Sequence, residues 1–224
     1  MRVRRLALIV TASATVLGIV SGLGACTSSG GSTGLPTQSP TATGSPSAAP
    51  ASSFGLATNK QYGFSVRYPL GWVSAARTAA LGNGSGAPLL SVSWADTKGK
   101  VVDGGFVDTL QVAVYGMSKP VKAADLVRYS GDFKAIVDGL IRNLPKLTVT
   151  DRFRPFTLNG TKGFQITYAY DIHGTPTGAM SYLLPKGSYA YWITGQSSAD
   201  TWSASWSKLA PAMASFTITP VTSK

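Results

Sequence analysis

The folded part of the chain is marked by short runs in which apolar and polar residues alternate. In YGFSVRYPLGW, Phe64, Val66 and Tyr68 fall on one side of an extended segment, and the proline that follows ends the run because it lacks a backbone donor. Turns such as DGG at 103–105 and NG at 159–160 separate short strands, which predicts antiparallel neighbours. Alternation predicts further strands at the following places: from Trp72, from Pro88, from Val107, Leu147–Phe156, Lys162–Asp171, Gly178–Leu184, Tyr189–Gln196 and the terminal SFTIT.

Two segments have helical spacing instead. From Phe133 to Leu144, apolar residues recur at i, i+3, i+4, i+7, i+8 and i+11, which makes one apolar stripe. Ser130 is predicted to cap this helix and Pro145 to end it. A second helix is predicted from near Ser198, with four large residues one below another: Trp202, Trp206, Leu209 and Met213. The pattern as a whole predicts an α+β domain in which an antiparallel β-sheet is flanked by helices.

The N-terminal pattern is typical of an export signal. Three arginines within residues 1–5 precede an uncharged apolar stretch, Leu6 to Leu23, whose 18 residues are also just enough for a transmembrane anchor. The sequence then reads LGAC, and leucine with two small residues before cysteine resembles the bacterial lipobox. We therefore expect residues 1–25 to be removed and Cys26 to carry lipid that holds the chain on the outer side of the cell membrane. The alternative is an ordinary signal peptide that is cut near a cysteine by chance.

The segment that follows Cys26 is expected to be a disordered tether, so that the second region of the chain is residues 26–53. Residues 27–53 contain no charge and no aromatic side chain and are rich in serine, threonine, proline and glycine. The root-mean-square reach of 27 such residues is roughly 30 Å. The remaining part, residues 54–224, is long enough for one domain with its own core.

The chain is basic, with a formal net charge of +11. Loss of the three leader arginines leaves 17 basic residues against nine aspartates, and the chain contains no glutamate. This balance suits attraction to anionic lipid headgroups or cell-wall polymers, and the alternative, which the scattered positions of the basic residues favour, is ordinary solvated surface charge. The basic residues are scattered singly and form no stripe interleaved with aromatic side chains, so we expect no nucleic-acid partner.

Patterns that would carry catalysis or metal binding are weak. The only histidine, His173, follows Asp171 by two positions, a spacing at which the aspartate could orient a general base if the strand continued. No nucleophile motif accompanies the pair, and the glycine and proline nearby predict an exposed histidine. Residues Gly82 to Ala87 fit the dinucleotide pattern Gly-x-Gly-x-x-Ala, but a proline and a strand follow where a phosphate-binding helix would have to begin. We expect no enzyme activity, no cofactor and no metal site.

Two segments carry a resemblance to a known family. YGFSVRYPLGW, Tyr62 to Trp72, and YWITGQSSADTWSASWSKLAPAMASF, Tyr191 to Phe216, resemble the opening and closing segments of the PsbP-like superfamily. With its lipobox and tether, the chain looks most similar to the LpqN-type lipoproteins of actinobacteria. The resemblance implies a PsbP-like sandwich and a non-catalytic role, as in the extrinsic PsbP subunit of photosystem II, and it transfers no binding residue.

Tyrosines are the remaining signal for function. One interpretation is that part of the tyrosine row lines an apolar groove for a lipid or a partner peptide, and the other is that the tyrosines belong to the core of a sheet covered on both faces. On this basis we expect a membrane-anchored binding or protein-interaction module of the cell envelope, bound to the membrane through Cys26. The alternatives are a carrier or sensor of a small apolar or lipid ligand and, last, an envelope hydrolase. The tyrosines of the possible surface are Tyr168, Tyr170, Tyr182, Tyr189 and Tyr191.

Overall fold

The structure, a computed structural model, describes residues 53–77 and 87–219. The predicted leader, the tether, Cys26 and all but the last residue of Gly82–Ala87 lie outside these residues. A 3-10 turn covers Ala123–Asp125. The strands and helices of the described part are β1 Phe54–Asn59, β2 Phe64–Pro69, β3 Val73–Arg77, β4 Leu90–Ala95, β5 Val101–Val102, β6 Gly105–Phe106, β7 Thr109–Val121, α1 Ser130–Ile141, β8 Thr148–Leu158, β9 Thr161–Ile172, β10 Thr175–Ser198, α2 Trp202–Ala214 and β11 Thr217–Ile218.

Six strands form the main sheet in the order β3-β4-β7-β10-β9-β8, with antiparallel neighbours throughout. The 24 residues of β10 fold back on themselves as a hairpin. The two halves lie side by side, as the distance of 2.8 Å between the hydroxyl oxygens of Ser181 and Thr194 shows. The amide of Ala199 likewise donates to the carbonyl of Pro176 at 2.8 Å. The first half of β10 pairs with β9 and the second half with β7, so β10 fills two adjacent places. The turn predicted at PKGS is present, with Gly187 at a φ of 59°.

One face of the main sheet is covered by α2 and by a small sheet of order β1-β2-β11. Leu110, Val112 and Val114 of β7 point to this side, since alternate residues of a strand share a face, and all three are fully buried. Aromatic rings fill much of the space between the layers. The buried rings of this first core are Tyr62, Phe64, Trp72, Trp94, Tyr182, Tyr191 and Phe216.

The opposite face of the main sheet is covered by α1, and this packing forms a second core. Phe133 and Val137 of α1 are fully buried, and the ring of Phe133 lies 5.5 Å from that of Phe164 on β9. Neighbouring rings on β10 therefore serve different cores, because Tyr191 belongs to the first and Trp192 to the second. The prediction that this strand carries rings on both faces of a helix-covered sheet is confirmed.

The fold class predicted from the sequence is confirmed, and several boundaries differ from the prediction. Strand β1 was not predicted. The first helix ends at Ile141, short of Leu144, and Ser130 is its first helical residue, with Tyr129 at the cap position. The second helix begins at Trp202 because β10 continues to Ser198. Neither helix in the described ranges has the length and apolar character needed to cross a bilayer.

Candidate binding surface beside helix α2

The five tyrosines predicted as one surface lie on two faces of the main sheet. Tyr168 and Tyr170 lie in the core beneath α1, whereas Tyr182, Tyr189 and Tyr191 lie in the core beneath α2. All except Tyr189 are buried. The five tyrosines therefore do not form one continuous surface, because the sheet separates the two groups, and a groove lined by part of them stays a prediction. Contact of an individual tyrosine with a ligand stays a prediction.

The buried tyrosines behave as neutral core residues, and three of them, Tyr168, Tyr170 and Tyr191, form hydrogen bonds through their hydroxyls. Burial raises the pKa of Tyr182 and of Tyr191 to about 12. The phenol of Tyr191 donates to the carbonyl of Tyr62 at 2.6 Å, and that of Tyr170 donates to Gln196 Oε1 at 2.6 Å. The phenols of Tyr170 and Tyr191 thus each keep a partner, which is what a buried hydroxyl requires.

His173 lies at an exposed turn, and Asp171 does not orient it. Strand β9 ends one residue earlier, and His173 has a left-handed φ of 47°, so the two side chains do not share a face. His173 Nδ1 lies instead 3.1 Å from Asp103 Oδ2, with both side chains more than half exposed. Asp171 accepts hydrogen bonds from the amide of Gly174 and from Lys146, which lower its pKa. The prediction of an exposed histidine is confirmed.

Two stacked tryptophans form the most distinctive surface feature near α2. The rings of Trp202 and Trp206 lie 5.1 Å apart at an angle of 13°, one turn apart on the helix, and both are partly buried. Gly178 of β10 lies under the first ring, where a Cβ would come within 2.9 Å of it. A side chain at that position would push the ring away from the sheet. We call these two residues the tryptophan pair.

Polar side chains lie in the sheet beside the tryptophan pair. Met180 pairs with Thr167, and both share a face with Gly178 because they are two positions away along their strands. Gln165, two positions further, is only 3% exposed, and Thr167 only 5%. Within the described side chains, the one hydrogen bond of Gln165 is to the Sδ of Met180 at 3.6 Å, a weak acceptor. The Nε2 of this buried residue thus has only a weak acceptor, while no buried side-chain N or O atom of the described residues lacks a partner altogether.

Strand β8 supplies the far side of this surface. The ring of Phe156 stacks on that of Tyr182 at 4.5 Å and 12°. Arg154 pairs with Gln165 in register, and its Nε donates to Asp151 at 3.1 Å with both side chains about two-fifths exposed. A guanidinium and aromatic rings therefore flank the buried polar strip on the side opposite the tryptophan pair.

Helix α2 begins over a buried carboxylate. Asp108 is fully buried and accepts hydrogen bonds from the hydroxyls of Ser197, Thr201 and Ser205 and from the amide of Lys100, the last at 2.8 Å. Burial alone raises the pKa of Asp108, but these four hydrogen bonds together hold it below its ordinary value of 3.8. The carboxylate is therefore charged and balanced by neutral donors at the positive end of the helix.

The contacts of Asp108 fix the tryptophan pair. Thr201 Oγ1 donates to Asp108 at 2.7 Å and immediately precedes Trp202. Ser205 Oγ lies 3.2 Å from the same carboxylate oxygen and immediately precedes Trp206. Each ring is thus next in sequence to a residue that is tied to the core, so the carboxylate determines where the rings lie.

Sequence reasoning missed most of this surface. It placed Trp202 and Trp206 on one helical stripe, but their stacking depends on Gly178, which lies outside that helix. Asp108 looked like one polar residue in an alternating strand, and its hydroxyl partners are 89 to 97 positions away. An aspartate at an apolar position of a strand, together with the hydroxyl residues Ser197, Thr201 and Ser205 at the start of a predicted helix, was the available signal for this buried network. Across the described ranges, no group of three metal-ligating side chains comes together.

Comparison with known proteins shows the fold of the chain. No family model matches it, and neither does any curated protein. Among solved structures it is similar to the cyanobacterial PsbP protein CyanoP from Synechocystis sp. PCC 6803, with a TM-score of 0.52 and 13% identity over 79% of this chain and 98% of that one. The α+β fold is therefore PsbP-like.

Two further structures are more distantly similar. LpqN, which is involved in cell envelope biogenesis of Mycobacterium tuberculosis, has a TM-score of 0.47 and 15% identity over 75% of this chain and 91% of that one. A protein from Bacteroides thetaiotaomicron VPI-5482 has a TM-score of 0.48 and 10% identity over 77% of this chain and 51% of that one.

Proposed function

We propose that the chain is a lipid-anchored protein of the cell envelope that works by binding a protein partner through the surface beside α2. The observation that carries this proposal is the tryptophan pair. Two stacked, partly exposed tryptophans on a fixed helix are typical of the few residues that contribute most of the energy of a protein interface. The anchor at Cys26 and the tether are inferred from the sequence. The resemblance to LpqN-type lipoproteins is inferred from the same two features.

The surroundings of the tryptophan pair support a binding role. The pair projects from a helix that is held at its first turn by Asp108, so its geometry exists before any partner arrives. Binding surfaces that are ordered in advance lose less conformational entropy on association. Arg154, on the far side of the same face, adds a charged donor of the kind enriched in interfaces.

Catalysis is the weaker interpretation of this molecule. In the part of the chain that the structure describes, the one histidine is exposed and paired with Asp103. We expect His173→Ala to leave partner binding and folding unchanged. If this variant folds normally and loses an activity of the envelope, the binding proposal is wrong and a hydrolase must be considered.

The test of the proposal is crosslinking in intact cells of the parent organism. The lipidated chain is compared with Trp206→Ala and with a matched double variant, Leu56→Ala with Val127→Ala, whose side chains are 66% and 83% exposed elsewhere on the domain. We expect one recurrent crosslinked protein with the parent chain and the control. Trp206→Ala should reduce its yield at least about tenfold, since hot-spot truncation costs about 2 kcal/mol or more. Equal yields from all three chains would show that the tryptophan pair is not the binding surface.

A carrier of a small ligand is the second candidate, and Gln165 is the observation that favours it. Its Nε2 donates only to the thioether of Met180 beside aromatic rings, and a stronger acceptor on an apolar ligand would replace this weak contact, although no buried side-chain N or O atom of the described residues is without a partner. Native mass spectrometry of protein purified from its own envelope tests this. A retained small molecule that is lost in Gln165→Leu would favour the carrier over the protein-binding role, and ligand-free protein would exclude the carrier.

A further inference from the structure

The two ends of the main sheet differ in their balance of charged residues. One end, which we call the lysine end, carries the turn between β1 and β2, the end of β7 and the turn inside β10. These segments are adjacent, because Val121 pairs with Gly187 and the ring of Tyr62 lies 5.5 Å from that of Tyr189. The exposed basic residues on them are Lys60, Lys119, Lys122 and Lys186.

Two more basic residues extend the lysine end. Lys162 follows the turn between β8 and β9, and Arg128 precedes α1, whose first turn packs on Phe164. The acidic residues of this region are Asp125 and Asp132, so six basic residues stand against two acidic ones. Among the ion pairs of residues 53–77 and 87–219, none includes a residue of the lysine end. Its positive charge is therefore not neutralised by ion pairing within these residues.

The opposite end of the sheet is close to neutral. It carries the loop after β4, the hairpin of β5 and β6, the turn between β9 and β10, and the start of α2. Several of its charges form ion pairs with one another, as Lys208 does with Asp96 at 3.2 Å and Lys146 with Asp171 at 3.2 Å. The charged residues of this end are Asp96, Asp103, Asp108, Asp171 and Asp200 with Lys98, Lys100, Arg142, Lys146 and Lys208.

The N-terminal segment joins the domain at this second, nearly neutral end. Phe54 pairs with Pro69, the last residue of β2, and the neighbouring Tyr68 stacks on Trp94 at 5.2 Å. Trp94 lies near the end of β4, next to the loop that carries Asp96. In a chain anchored through its N-terminal segment, the lysine end therefore lies opposite the point of attachment.

We propose that the lysine end binds a polyanionic polymer of the envelope, a chain that carries repeated phosphate or carboxylate groups. This inference rests on the anchoring in the proposed function but uses a different surface from the tryptophan pair. Six exposed basic side chains at one end can meet successive charges of one polymer, and each contact releases counterions from it. Binding of this kind depends on charge density and on salt, and it requires no preformed pocket.

The geometry favours a polymer over the membrane surface as the occupant. Strand β7 has 13 residues, so the main sheet is roughly 40 Å long in the strand direction. The tether expected from the sequence would have a root-mean-square reach of roughly 30 Å. To bring the lysine end onto the membrane that holds the anchor, the tether would have to return along the whole domain. A polymer beyond the membrane is reached without that constraint.

Binding of long-chain inorganic polyphosphate by the mature chain, from Cys26 onward in detergent, tests the inference. We compare the parent with Lys119→Ala plus Lys186→Ala, and with the control Lys98→Ala plus Lys100→Ala, which removes the same charge from exposed positions at the other end. At low salt we expect the first variant to bind about thirty-fold more weakly, or about fivefold for each lysine, and the control to change less than about threefold. Equal losses in both variants would overturn the inference, because binding would then follow net charge alone.

Two further measurements distinguish the polymer from a membrane surface and the lysine end from the tryptophan pair. Vesicles of zwitterionic lipid with one-third anionic phosphatidylglycerol are expected to bind the chain more weakly than polyphosphate does, and stronger, lysine-dependent vesicle binding would replace the polymer with a membrane. Trp206→Ala should leave polyphosphate binding unchanged. Loss of the crosslinked protein partner in that variant, with polyphosphate binding intact, separates failure of this inference from failure of the proposed function.

Discussion

Replacement of Asp108 by asparagine tests whether the buried carboxylate holds helix α2 in place. Asparagine has nearly the same shape, so the change removes the charge without leaving a cavity. It also replaces one carboxylate oxygen, an acceptor, by an NH2 group, a donor. If this group faces the backbone amide of Lys100, two donors oppose each other and that hydrogen bond is lost. The domain should fold, but the donors around Ser197 and Thr201 would lose their charged acceptor.

The expected loss follows from the number and type of these bonds. A hydrogen bond to a charged acceptor contributes about 1.5–3 kcal/mol and a neutral one about 1 kcal/mol, and four such bonds weaken together. The desolvation cost of the buried charge disappears in the variant and offsets part of this loss. We expect the free energy of unfolding to fall by about 2–4 kcal/mol, which is a large part of a typical total of about 5–15 kcal/mol.

Urea unfolding of the mature chain, followed by tryptophan fluorescence, measures this loss. The matched control is Asp103→Asn, the same substitution at a side chain that is 69% exposed, for which we expect a change below about 0.5 kcal/mol. The pKa of Asp108 is lowered in the folded state, so its contribution is present above pH about 4 and is lost as pH falls through the folded pKa. The difference between parent and Asp108→Asn should therefore shrink below pH 4. Equal stabilities at neutral pH would refute the reasoning.

Two other predictions concern the same face of the sheet. Gly178→Ala places a Cβ within 2.9 Å of the Trp202 ring, so we expect loss of the near-ultraviolet circular dichroism of the stacked pair and about 1–3 kcal/mol of stability; an unchanged spectrum would contradict the packing. Burial raises the pKa of Tyr115, Tyr182 and Tyr191 to about 12, so their neutral forms stabilise the fold below pH about 10 and this contribution is lost as pH rises through 12. Ultraviolet titration should therefore show a late tyrosine step that moves to about pH 10 in urea, and a single step at pH 10 in the folded protein would refute it.

The strands and turns that have strong local signals could be predicted from the sequence. Alternation identified β2, β4, β7 and the meander, and the Asn159-Gly160 turn is present, with the Asn159 side chain bonded to two backbone carbonyls. Strand β1 has no clear alternation. It forms because it pairs with β2 along its full length, and Gly55 lets the ring of Tyr68 lie against the backbone, where a Cβ would be 2.5 Å from it. Tertiary pairing of this kind leaves no periodic pattern in a six-residue segment.

The candidate site could be predicted only in part, because it depends on register. Tyrosines two positions apart were expected to share a surface, and along one strand they do, as Tyr168 and Tyr170 show. Tyr182 of β10 is paired with Gln165 of β9, and paired residues share a face of the sheet. Gln165 and Tyr168 are three positions apart on β9, so they face opposite sides. Tyr168 faces α1, and Tyr182 therefore faces the other way. A shift of one residue in pairing would reverse every side chain, and the sequence does not specify that register locally.

Helix α2 is held at both ends by side chains from the sheet, and this explains how a short helix can present the tryptophan pair in one orientation. At its start, Asp108 accepts hydrogen bonds from Thr201, which precedes Trp202, and from Ser205, which precedes Trp206. At its end, Asn159 Nδ2 donates to the carbonyls of Ala214 and Phe216 at 2.8 Å each, which satisfies acceptors that a helix leaves free. Asp108 directly precedes β7 and Asn159 lies in the turn between β8 and β9, both far away in sequence from α2, so the helix cannot rotate or slide without breaking these hydrogen bonds. A partner that contacts the tryptophan pair therefore meets a surface whose ordering cost was met when the domain folded.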